Sequence, residues 1–168
     1  EKFGIGNNME YTNVRFGLFA DEEIIASDGT SIPKDGLITE VSLGEDMTAK
    51  FETQIPYGKY YVQEISTDEH YVLNGEKYLV NFEYMGQDIS LVSVDCGKFV
   101  NVLKRGNVNG LKIDEETKSP LANAVFGLFN ATETKYSADN AILTATSDEN
   151  GCFSFANIPY EDYVVKEI

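Results

Sequence analysis

The four residues Phe16-Gly17-Leu18-Phe19 return unchanged as Phe126-Gly127-Leu128-Phe129. The match extends well beyond them. At an offset of 110, KFGIGNNMEYTNVRFGLF (2–19) lies over KIDEETKSPLANAVFGLF (112–129) without gaps. At an offset of 103, IPYGKYYVQEI (55–65) lies over IPYEDYVVKEI (158–168), and Glu64 falls on Glu167. Self-similarity of this kind marks a duplicated structural unit. The chain therefore reads as two modules, 1–106 and 107–168. The first carries seven more residues between the two matches, most naturally in a loop such as SDGTSIPKDG (27–36), because loops absorb insertions. The second stops just after its Glu-bearing strand. It has no counterpart to KYLVNFEY, DISLVSV or KFVNVLK, and is expected to lack its final strands.

Each module reads as all-β. VRFGLFA, KYYVQEI, YLVNFEY, ISLVSV and KFVNVLK are short runs of apolar, β-branched and aromatic residues. SDGT, NGEK, MGQD and SDENG are turn signals between them. Short strands at close spacing predict an antiparallel sandwich, and the first module is long enough to own a core. Only EYTN or TETKYSADN could hold a turn of helix.

Charge and composition exclude several functions. Thirteen Lys and Arg stand against 28 Asp and Glu, a net charge of −15. Such a surface repels nucleic acid and anionic lipid, so neither is expected as a partner. No stretch is apolar enough to insert in a membrane, and the N-terminus lacks a signal-peptide pattern. The chain is read as cytosolic, or as a mature or excised piece of an exported protein. Two cysteines, Cys96 and Cys152, give neither a metal spacing nor a disulfide framework. His70 is the sole histidine, read as an exposed loop residue. The acidic runs at 21–23, 114–116 and 147–151 lack calcium-loop spacing and read as solvated turns. No metal or cofactor is expected.

Two runs, GLKIDEETKSPLANAVFGLF and TATSDENGCFSFANIPYEDYVVKEI, resemble the B-type repeat of Gram-positive collagen adhesins and SpaA-type pilin shafts. The shared pattern is Lys-x-Asp, Pro-Leu-x-x-Ala-x-Phe-x-Leu, Thr-x-Asp-x-x-Gly, then Pro-x-x-x-Tyr-x-x-x-Glu. The first module departs from it at GIGNNMEYTN and at Arg15. The resemblance implies tandem prealbumin-like, or inverse-immunoglobulin, β-sandwich modules, the second truncated. It also implies a self-formed isopeptide bond. A first-strand Lys joins a last-strand Asn while a buried Glu promotes the reaction. Carried over by position, the lysines are Lys2 and Lys112, the acids are Glu64 and Glu167, and the asparagine is Asn101. Lys112 has no partner within this sequence, which leaves Glu167 idle. Asn81 is a weaker alternative partner. Phe16 and Phe126 are expected to form the dry surroundings.

The chemistry has its own logic. A lysine near its usual pKa of about 10.4 is protonated and cannot attack. Burial disfavours the ammonium and, equally, the charged carboxylate. A neutral Glu could then polarise the carboxamide oxygen and pass the amine's proton to the leaving ammonia. Strand alternation puts Glu64 with Tyr60 and Val62, Glu167 with Tyr163 and Val165, and Asn101 with Phe99 and Leu103. Such a bond forms once per molecule, so no enzyme is expected. The role implied is a stalk or shaft segment of an adhesin or pilin, outside the bacterium and wall-anchored through a parent protein. Neighbouring repeat modules would be its partners. The alternative is a binding module for a host extracellular-matrix protein or a glycan, using tyrosines such as Tyr57 and Tyr84.

Overall fold

The computed structural model describes residues 12–168. Lys2 and the GIGNNME stretch lie outside the described residues. The chain divides into two compact units between Val102 and Leu103. Among the described residues the regular structure is all strand.

The first unit contains β1 (Arg15–Ala20), β2 (Ile24–Ile25), β3 (Ser31–Ile32), β4 (Leu37–Ser42), β5 (Gly58–Ser66), β6 (Tyr71–Val72) and β7 (Tyr78–Phe82), and β8 (Val102–Leu103) falls on the division. Its main sheet is antiparallel, in the order β4-β1-β5-β7. Phe16, Leu18, Ala20, Ile24, Tyr60, Val62 and Val80 form its buried core. The layer facing that sheet includes irregular segments, with Phe51, Ile55, Cys96 and Phe99 packed against the core. The expected strand DISLVSV does not form. Ile89, Leu91 and Val94 are exposed, so no apolar face is buried there to offset the ordering of an extended chain. KFVNVLK is a strand only at Val102–Leu103, which pairs with β6.

The second unit contains β9 (Arg105–Leu111), β10 (Val125–Asn130), β11 (Leu143–Thr146), β12 (Cys152–Pro159) and β13 (Tyr163–Glu167). A three-stranded sheet, β11-β10-β13, and a two-stranded sheet, β12-β9, enclose Leu128, Phe155 and Ile158. Register shows the duplication directly. Phe16 faces Glu64 and Val41, and Phe126 faces Glu167 and Ala145. Most of the first module's extra length therefore falls between β1 and β4, where the hairpin β2–β3 lies. Neither EYTN nor TETKYSADN contains a helix among its described residues.

The repeated FGLF now has a physical reason. Phe16 and Leu18 point into the core. Gly17 lies on the opposite face, and a Cβ there would meet the Phe19 ring at 2.5 Å. A Cβ on Gly127 would meet the Phe129 ring at the same distance. Each glycine thus lets the aromatic two residues on fold back across its own strand. The repeated Ile-Pro-Tyr-x-x-Tyr has a parallel reason. The Tyr60 hydroxyl donates to the Pro56 carbonyl at 2.7 Å, and the Tyr163 hydroxyl to Pro159 at 3.0 Å. Each bond closes the turn leading into the Glu-bearing strand. Replacing Tyr60 or Tyr163 by Phe removes the donor while keeping the ring. Each change should destabilise its own unit by about 0.5–1.5 kcal/mol in urea unfolding.

Candidate functional site

β5 carries three inward side chains in alternation, Tyr60, Val62 and Glu64, and all three are buried. A carboxyl 3% exposed among aromatic residues needs hydrogen-bond partners. Glu64 has one for each oxygen. Its Oε2 accepts the backbone N–H of Asn74 at 2.7 Å. Its Oε1 accepts from the Asn101 side-chain nitrogen, also at 2.7 Å. That nitrogen donates a second time, to the Thr67 hydroxyl at 2.8 Å. Two residues before Asn101, Phe99 packs edge-on against Phe16 with ring centroids 4.8 Å apart. Phe99 also lies against Tyr78, at 3.8 Å. The aromatic contacts seat the segment that carries Asn101, and the carboxyl fixes its amide.

Glu64 and Asn101 therefore meet, though 37 residues apart in sequence. Asn81 does not join them. It is exposed on β7, opposite Lys59 in register, and its amide donates to Glu83. The orientation of Asn101 differs from the expected one. Both Glu64 oxygens act as acceptors, and the carboxamide presents its nitrogen rather than its oxygen. Nothing in the sequence singles out Thr67 or Asn74 for this contact. Asn74 begins an Asn-Gly pair legible only as a turn, and Thr67 lies just past the end of β5.

The equivalent pair in the second unit is arranged differently. The Lys112 amine meets Glu167 Oε2 at 2.7 Å. Glu167 has a side chain 47% exposed and Lys112 one 29% exposed. Phe126 is half-buried and stacks on Phe153 at 3.8 Å. Here lysine and glutamate pair directly, near the surface.

Other residues have local tasks. His70 is not the exposed loop residue expected. Its ring is largely buried and its Nδ1 lies 2.6 Å from Asp68 Oδ1. Asp68 is itself buried and also accepts the His70 backbone N–H. Asp114 accepts from the Thr117 backbone and hydroxyl, and Asp148 accepts from the backbones of Asn150 and Cys152. These acids close turns. Both cysteines are free. Burial and the neighbouring Asp95 push the Cys96 thiol above its ordinary pKa, which disfavours the reactive thiolate. No helix among the described residues is long and apolar enough to cross a membrane.

The contrast between the two glutamates is measurable in chains carrying Lys2→Ala, where residue 2 has no amine to bond. Adding Glu64→Ala leaves the Asn74 N–H and the Asn101 amide short of an acceptor. It should cost about 2 kcal/mol or more. Adding Glu167→Ala breaks a half-exposed ion pair and should cost less than about 1 kcal/mol. Urea unfolding of the two double variants reads the ranking.

A family model described as the SpaA prealbumin-like fold domain matches residues 1–95 and 106–168. No curated protein sequence matches the chain. Among solved structures, the chain aligns with the Bacillus anthracis TIE protein at 21% identity and a TM-score of 0.62. That alignment covers 97% of this chain and 26% of the other, so the chain spans about a quarter of that protein. It also aligns with GBS52, the minor pilin of Streptococcus agalactiae, at 20% identity and a TM-score of 0.33, over 93% and 70% of the two chains. A third alignment is with BcpA, the major pilin subunit of Bacillus cereus, at 14% identity and a TM-score of 0.32, over 92% and 83%. The first of these carries the fold assignment.

Proposed function

The chain belongs to the SpaA prealbumin-like fold domain family, and from that premise we propose that it is a load-bearing segment of a Gram-positive surface stalk or pilus. Its two repeat modules are those read from the sequence, 1–106 and 107–168. In the first, Lys2 joins Asn101 through an isopeptide bond promoted by Glu64. The observation that carries this reading is the buried Glu64 carboxyl with the Asn101 amide on it at 2.7 Å. A carboxyl is costly to bury, and here it touches the side chain that a cross-link would consume.

In the reaction a neutral Lys2 amine attacks the Asn101 carbonyl carbon. The new carbon–nitrogen bond forms as the bond to Nδ2 breaks. One amine proton passes through Glu64 to Nδ2, which leaves as ammonia. The acceptor geometry of Glu64 suits the first half of that transfer, and its contact with the nitrogen suits the second. Holding the groups together supplies the effective concentration that amide chemistry lacks in water. The step occurs once, so the protein is structural and not a turnover enzyme.

A bond from residue 2 to residue 101 closes nearly the whole first module. By analogy with a disulfide, a loop of about 100 residues restricts the unfolded chain by roughly 4–5 kcal/mol. An amide also withstands reduction. Traction along a string of modules would pass through the bond and leave the sheet unextended. Neighbouring modules of the same protein are the natural partners, and the bacterial surface is the natural location.

Intact mass is the primary test. The purified chain should be lighter than its sequence by one ammonia, and Glu64→Ala should restore the full mass. A chain of full sequence mass would refute the bond. Single-molecule pulling tests the role: the first module should add almost no length on stretching, while the Glu64→Ala module should unravel.

A further inference from the structure

The Asn101 nitrogen has two hydrogens, and each is held by a different residue. One goes to Glu64 Oε1 and the other to Thr67 Oγ1. A carboxamide is planar, with two donors on nitrogen and acceptor capacity on oxygen. Engaging both donors fixes the amide plane and fixes which end faces Glu64. With Glu64 alone as acceptor, the amide could turn about its Cβ–Cγ bond after losing a single contact. With Thr67 added, turning breaks two. A flipped amide would also set its oxygen against the Glu64 oxygen that now accepts from it. Threonine suits the task for a second reason. Its β-branch restricts χ1, so the hydroxyl is held in place, and as a neutral acceptor it adds no charge to the site.

We propose that Thr67 is a positioning residue that sets the rotamer of Asn101, so that the leaving nitrogen rests against Glu64. This rests on the cross-linking reading above. The chemistry is the same: the Lys2 nitrogen bonds to the Asn101 carbonyl carbon, the bond to Nδ2 breaks, and ammonia carries away the proton relayed by Glu64. Thr67 takes no proton. It keeps Nδ2 beside the carboxyl that delivers one.

The test follows bond formation in freshly synthesised full-length chain. A pulse of cell-free translation is chased and quenched at intervals, and the linked fraction is read by gel mobility and intact mass. Thr67→Val keeps the shape and removes the acceptor; it should slow linking roughly tenfold, about the effect of one lost hydrogen bond. Thr67→Ser restores the hydroxyl and should link at close to the wild-type rate. On a Lys2→Ala background, side-chain amide NMR gives a second readout independent of linking. The Asn101 NH2 pair should lose hydrogen-exchange protection in Thr67→Val and retain it in Thr67→Ser, with backbone signals of the core strands unchanged. Wild-type linking by Thr67→Val, or equal slowing by valine and serine, overturns the role of Thr67 while leaving the cross-link intact. A wild-type chain that never links overturns the cross-link itself, and this proposal with it.

Discussion

A carboxyl sealed inside a β-sandwich is the interaction around which the first module is organised. Glu64 occupies a position whose neighbours on the same strand face, Tyr60 and Val62, are ordinary core residues. Left alone there, its charge would be severely penalised. The penalty is met by a backbone N–H from Asn74 and a side-chain amide from Asn101. Satisfying the acid therefore draws two distant segments onto β5. The same requirement that makes the acid tolerable brings it to the group that a cross-link would consume.

The second module holds its glutamate in a different setting. Its Glu167 sits opposite Phe126 in the register that Glu64 keeps with Phe16. The duplicated strands are thus equivalent, but the local environments are not. Glu167 is half-exposed and takes the Lys112 ammonium directly. An ion pair of that kind is screened by water and worth little. Strand register carries the acid to the right place in both modules. In the first, Asn74 and Asn101 donate to it and Thr67 holds the Asn101 amide in place.

The sequence makes the strands legible and the polar contacts much less so. Duplication marks β1 and β10 through FGLF, and period-two alternation puts Glu64 with Tyr60 and Val62 on one face. Both are backbone periodicities, which sequence displays directly. Phe99 likewise signals which way its segment faces. Thr67 and Asn74 have no such period, because they act from a strand end and a turn, where short polar residues are common for many reasons. His70 is hard to read for a related cause: its ring meets Asp68, two residues away in a turn. DISLVSV has strand composition, yet its apolar residues remain exposed. Propensity does not supply the partner strand that a ladder requires.

The decisive measurement is fragmentation mass spectrometry of a protease digest of the unreduced full chain. The account predicts one branched peptide in which the side-chain nitrogen of Lys2 is joined to the side-chain carbonyl of Asn101, absent from a Glu64→Ala digest. Separate linear peptides, with Lys2 a free amine and Asn101 an intact carboxamide in the wild-type chain, would contradict it.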